Sequence, residues 1–323
     1  MKHLSFLIAA AVVCACSVKV TPQEPERQLV RFTASYGSES RTTTDGNGKV
    51  LWTPGDEVAI WNATDVNASI FTASVSEASL SSELWGTFDS EGYNSEEEKD
   101  KGKEQEQSAM SAYVAVYPYA LVETQWGSQL TSGSSWDSQT STYYPTWTCT
   151  VKLPKEQTAR ADSFDDNLFV SYAVSETKEL KFHHATGGFK FSVTSSNIAR
   201  VEIDAEYGYN NYMTGTCYFC FNAETYDLSL SKSGDNHAWL AAPEGQTLIP
   251  GKYYYIVTWP ATLANGFKVK FITSDGALKN LTVTNSIEIQ AGHFLRIDNF
   301  DANAEEHGMG SGDLEDISYD PIN

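Results

Sequence analysis

The chain has 323 residues and a mass of 35.6 kDa, and its 42 Asp+Glu against 22 Lys+Arg leave a formal net charge of −20. That balance excludes nucleic acid as a partner and adsorption to anionic lipid as a mode of binding, because both need clustered cations. A hydrophobic share of 41%, with 12% aromatics, is enough for a packed core and too high for a disordered chain.

In chain order, Met1-Lys2-His3 is a short basic start and 4–13 an apolar stretch, so residues 1–15 read as a secretory signal. The apolar run ends at Cys16, too short to span a bilayer as a helix. Val13-Cys14-Ala15-Cys16 resembles a bacterial lipobox, with a small residue just before Cys16 and an apolar one three positions back. Cys14 is the alternative, with bulky Val13 where a small residue belongs; an ordinary signal peptide holding two cysteines is the other. A lipidated Cys16 predicts an envelope protein, an outer-membrane lipoprotein held in the membrane by its acyl chains. Residues 16–27 are polar, carry Pro22 and Pro25, and read as a tether.

From residue 29 the chain becomes short alternating runs rich in β-branched and aromatic residues, separated by Gly, Pro, Asn, Asp and Ser. This predicts strands over 29–35, 57–61, 69–75, 84–88, 112–117, 147–153 and 168–174, then 180–193, 199–205, 214–221, 227–231 and 238–241. The last predicted strands cover 252–259, 267–272 and 281–289. Phe267-Lys268-Val269-Lys270-Phe271 has the clearest period of two, apolar on one face and basic on the other. No long 3.6-residue period occurs, so the fold class is all-β. Three stretches lie outside this pattern: a charged insertion at 95–107, a Ser/Thr/Trp-rich loop at 125–144, and an acidic tail at 301–323. There are too many strands for one sandwich. The mature chain therefore divides into β domains at 28–178 and 179–300, split where charged residues separate two strand series.

Chemistry-bearing motifs are few. Beyond Cys14 and Cys16 the cysteines are Cys149, Cys217 and Cys220, an odd number that forms no closed disulfide framework. Cys217 and Cys220 are three apart on a predicted strand, hence on opposite faces and unable to share a metal. His183 and His184 are adjacent and also face opposite ways. Asp162, Asp165 and Asp166 lack the spacing of an EF-hand loop. No nucleophile–base motif is present. The expectation is a non-enzyme with no cofactor and no metal site.

Trp52-Thr53-Pro54-Gly55-Asp56 leads into the apolar strand from Glu57, with Pro and Gly placed for a type II turn. This motif resembles the Bacteroidales fimbrillin family, the subunits of type V pili. Further similar segments follow in order: Arg41-Thr42-Thr43 upstream, then Ala115-Val116-Tyr117-Pro118-Tyr119, then Leu153-Pro154 with Gln157. Leu180–Phe182 with Gly188–Phe191, and Tyr253–Trp259 before Pro260, complete a resemblance that spans about residues 28–300. It implies two tandem transthyretin-like β-sandwich domains and a role in cell adhesion, as a pilus subunit or surface adhesin. It also implies cleavage by a trypsin-like protease at Arg41-Thr42, with Arg27, Arg31 and Arg160 as competing sites. Such cleavage would remove the lipid tether and the first strand together, leaving a groove for a strand of another subunit or of a second copy. The family takes that strand from the C-terminus. Here the candidate is 314–322, with Leu314, Ile317, Tyr319 and Ile322; Pro321 and four acids break its alternation, which leaves a terminal or non-polymerising subunit as the alternative.

A second reading is a lipid-anchored, outer-membrane glycan-binding protein. Trp126 and Trp136, with Tyr143, Tyr144 and Trp147 nearby, lie in or beside a polar loop, and aromatic faces stack on sugar rings. The adhesion ligand is not legible in the sequence.

Overall fold

The computed structural model describes residues 28–36, 51–62, 67–88, 112–123, 129–137, 141–205, 211–305, 310–312 and 318–321. The strands in chain order begin with β1 (Val30–Tyr36), β2 (Glu57–Trp61), β3 (Ser69–Ala73), β4 (Ser81–Gly86), β5 (Tyr113–Tyr117), β6 (Thr131–Asp137) and β7 (Thr142–Leu153). Next come β8 (Glu156–Thr158), β9 (Ser171–Ser175), β10 (Glu179–His184), β11 (Gly187–Ser192), β12 (Ile198–Ala205), β13 (Thr214–Asn222) and β14 (Leu228–Asp235). Then follow β15 (His237–Ala241), β16 (Tyr253–Thr258), β17 (Ala261–Leu263), β18 (Phe267–Thr273), β19 (Leu278–Val283) and β20 (Ile287–Ile289). The last are β21 (His293–Ile297), β22 (Gly310–Gly312) and β23 (Ser318–Pro321). The only helical pieces among the described residues are two single 3-10 turns, Tyr119–Leu121 and Asp166–Leu168. The fold is all-β, as the alternation predicts.

Seven strands close into a barrel in the order β1-β10-β9-β5-β2-β3-β4. Its interior is filled by Phe32 and Ala34 of β1, Val58 and Ile60 of β2, Phe71, Leu84, Ala115, Ala173, Leu180 and Phe182, with Trp52 and Tyr117 at one end. The turn before β2 is built as its residues require. Pro54 is followed by Gly55 at φ 89°, and the Asp56 N–H donates to the Thr53 carbonyl at 3.2 Å. The Asp56 carboxylate then accepts from the Thr53 N–H and hydroxyl, both at 2.8 Å.

β2 and β5 are buried on both faces. Their outward residues Ala59, Trp61, Val114 and Val116 enter a central core with Trp147, Cys149 and Val151 of β7 and Cys217, Phe219 and Phe221 of β13. Tyr255, Val257 and Phe294, from strands further along the chain, join the same core. Beyond it lies a sandwich. A sheet β16-β11-β21-β23 packs on a sheet β22-β19-β18-β12-β15-β8 around Phe189, Phe191, Val201, Ile203, Val269, Phe271 and Phe300.

The sheets do not divide at 178/179. β10 lies beyond that point and seals the barrel between β1 and β9. Conversely β7 pairs with β13 from the later half, and β8 pairs with β15. The physical reason is that β2, β5 and β7 expose apolar faces that only later strands cover, so the central core draws from both halves of the chain. The stretch 125–144, expected as a loop, contains β6 and the start of β7. These residues pair through their backbones with no burial on β6, and so leave no apolar period to read. The tail at 301–323 likewise supplies two short strands, β22 and β23.

Candidate functional site

The candidate site is the seam formed by β1. It runs parallel to β10, Thr33 to Tyr36 meeting Glu179 to Phe182, and antiparallel to β4, Val30 to Ser35 meeting Gly86 to Ser81. Alternation places Phe32 and Ala34 inside the barrel, both without accessible surface. The Phe32 ring meets Tyr113 at 4.8 Å, Phe71 at 5.2 Å and Phe88 at 6.1 Å, each edge to face. Tyr36 stacks on Trp52 at 4.9 Å, and Trp52 meets Phe182 and Tyr117 at 5.2 and 5.3 Å. The W-x-x-G-D indole is thus the floor on which the end of β1 rests. Tyr36 also meets Phe182 at 5.7 Å and His184 of β10 at 6.3 Å, and the His184 Nδ1 is 3.3 Å from the Ser171 hydroxyl. Burial drives the His184 pKa well down, and His183 and His293 add to the shift. The imidazole is therefore neutral. His183 is exposed on the opposite face, as adjacent strand positions require.

Arg41 and Thr42, the expected cleavage point, lie outside the described residues, as does Cys16. Of the expected donor strand, Leu314, Ile317 and Ile322 also lie outside, while Tyr319 falls in β23, whose backbone is described. β23 is bound to its own chain. It pairs antiparallel with β21, Tyr319 opposite Leu295 and Asp320 opposite Phe294. Lys190 donates to Asp320 at 2.7 Å, and its ammonium sits 4.9 Å from the Tyr253 ring centre. Tyr253 in turn donates to Asp298 at 2.8 Å, and Arg296 pairs with the same carboxylate at 3.1 Å. The C-terminal strand is therefore an edge strand held by a short ladder and a half-buried ion pair.

The aromatic group of the alternative reading separates into two parts. Trp126 lies outside the described residues. Trp147 is a core residue, stacked on Tyr226 at 6.1 Å. Trp136 and Tyr143 face each other across the β6–β7 hairpin, ring centres 5.0 Å apart, and stay exposed at 52% and 71%.

Burial pushes the Cys217 thiol up to about 12 and raises Cys149 too, so both are protonated and unreactive. Asp162 turns to Lys252 at 2.6 Å, and Asp165 accepts from the Asn167 N–H at 3.2 Å. No cluster of metal-ligating side chains occurs among the described residues, and none of their helices is long and apolar enough to cross a membrane.

No family model and no curated protein matches the chain. Among solved structures it is similar to a crystal structure from Bacteroides ovatus, of a protein proposed to act in cell adhesion. The two share 11% identity at a TM-score of 0.42, over 92% of this chain and 96% of that one.

What sequence reasoning missed is Gln157 as a lock between sheets. Its amide bonds both the N–H and the carbonyl of Val257. A buried amide in an otherwise polar segment leaves no periodic signal.

Proposed function

We propose that the chain is a fimbrillin-like surface adhesin or pilus subunit, made as a lipoprotein precursor anchored through Cys16. The observation that carries this reading is the position of β1. One strand closes the barrel, pairs on both sides, and leads directly into the segment that holds Arg41. Removing it would leave β4 and β10 as two facing edges, with Phe71, Tyr113 and Phe182 lining the gap. Unpaired edges of this kind take up a strand from elsewhere. In the same reading β23 is held against β21 until it is released for donation, and breaking the Lys190–Asp320 pair is part of that release. The proposal assigns no catalytic role and no cofactor to any residue. Its partners are other pilus subunits or copies of itself, together with a surface ligand of unspecified chemistry. The test is limited trypsin digestion of the purified chain, with N-terminal sequencing and size analysis. A new terminus at Thr42, with oligomers that vanish when 313–323 is deleted, supports the scheme. A chain cut at Thr42 that assembles no further than the uncut chain overturns strand donation.

The second reading, a glycan-binding lipoprotein, is favoured by the exposed Trp136–Tyr143 pair. Binding to immobilised polysaccharides that is lost on Trp136→Ala or Trp126→Ala would support it. Unchanged binding in both variants would remove it.

A further inference from the structure

The two edges of the sheet β14-β13-β7-β6 are built in opposite ways. β14 is guarded. Lys232 sits opposite Cys217, on the face that packs into the core, half-buried, and donates its ammonium to the Pro260 carbonyl. Burial lowers its pKa, and the strand ends in Gly234 and Asp235. An inward-pointing charge on an edge strand is a standard obstacle to further pairing.

β6 has no such obstacle. Its seven residues, Thr131-Ser132-Gly133-Ser134-Ser135-Trp136-Asp137, contain no Lys, no Pro and one charge, at the very end. It pairs with β7 alone among the described strands, and Thr131 through Ser134 are exposed. Alternate residues of an edge strand turn their N–H and C=O groups outward, so among the described residues β6 offers an unpaired hydrogen-bonding row. The adjacent start of β7, Thr142-Tyr143-Tyr144-Pro145, is also uncharged. In a chain of net charge −20, a neutral edge is where two copies meet with least repulsion.

We infer that β6 pairs antiparallel with β6 of a second copy, joining two four-stranded sheets into one of eight. The sequence is self-complementary about Ser134. In that register Ser134 meets Ser134, Gly133 meets Ser135, and Trp136 meets Ser132 of the second copy. Each indole then lies over small side chains and has room to flatten against them. The register also sets each Asp137 opposite Thr131, at opposite ends of the interface, whereas a parallel pairing would bring the two carboxylates together. Such a contact is isologous and closes on itself as a two-fold dimer. It goes beyond the proposed adhesin role and uses neither β1 nor the C-terminal strand, so strand donation can fail without affecting it.

The test is sedimentation velocity on the purified full chain in detergent, with variants at the centre of the contact. The expected result is a concentration-dependent species of twice the chain mass, lost in Ser134→Lys while the melting temperature of the monomer is unchanged. Ser134→Cys should give a disulfide-linked dimer on mild oxidation, and Thr131→Cys should not, because it faces Asp137. Dimerisation should also shift Trp136 emission to the blue. A chain that is monomeric at every concentration, or a dimer indifferent to Ser134→Lys, overturns the inference. So does a monomer whose Trp136 emission responds to a polysaccharide, since the edge would then serve a sugar.

Discussion

Gln157 grips Val257 with both ends of its amide: Nε2 donates to the Val257 carbonyl at 2.7 Å, and Oε1 accepts from the Val257 N–H at 2.9 Å. The side chain is buried and mimics a missing strand, tying β8 of one sandwich sheet to β16 of the other. Gln157→Ala leaves a buried N–H and a buried carbonyl without partners and should cost about 1–3 kcal/mol. Gln157→Glu keeps the acceptor but loses the donor and should also destabilise. Urea denaturation of the three chains checks both effects.

Phe271 and Phe32 lie in different cores, and Phe271 meets Phe300 at 5.3 Å. Truncating either ring to alanine should cost about 3–5 kcal/mol. Because the central core is shared by the barrel and the sandwich, both variants should lower one common thermal transition. Calorimetry showing two transitions, each sensitive to only one variant, would mean that the two regions unfold independently.

Acid should weaken the fold in two windows. His184 is held neutral by burial, so its folded pKa lies below the ordinary imidazole value. The unfolded chain then binds the extra proton first, and stability falls as pH drops below the ordinary value toward the folded one. His184→Phe should flatten that slope in melts taken at a series of pH values.

The second window belongs to Asp301. Burial alone would raise its pKa, but the Ser195 and Thr194 hydroxyls and N–H groups bond its carboxylate at 2.6–3.0 Å and hold the pKa below the ordinary carboxylate value. Its contribution is complete above that ordinary value and disappears as pH falls through the lower folded one. Asp301→Asn should remove this acid slope and leave the His184 slope in place.

Strands buried on one face were legible because burial imposes a period of two. β18 is the plainest case, with Val269 and Phe271 inward and Lys268 and Lys270 outward. The W-x-x-G-D turn was legible because Gly55 and Pro54 each fit one backbone position. β6 was not legible, since Ser and Thr on an edge satisfy the backbone without burying anything. The division at 178/179 misled for a related reason. Glu176, Lys178 and Glu179 look like a linker, yet they border a tight connection from β9 to β10 inside one barrel. Which strand covers an apolar face such as that of β7 is a long-range choice that local composition does not encode. Of the aromatics grouped in the sequence, Trp136 is exposed whereas Trp147 is buried: proximity along the chain does not separate the two.

The parallel pairing of β1 with β10 also sets the order in which the chain can mature. Thr33 meets Glu179 across nearly half the polypeptide, so the N-terminal strand has only β4 beside it until the second edge has emerged. A chain that emerges N-terminus first would hold Phe32 beside an unfinished wall throughout that interval. Closing so long a loop is slow, and the waiting edge is open to wrong partners. Folding of this protein should therefore depend on a holding chaperone, and a chain stopped at 178 should be degraded rather than fold as a smaller unit.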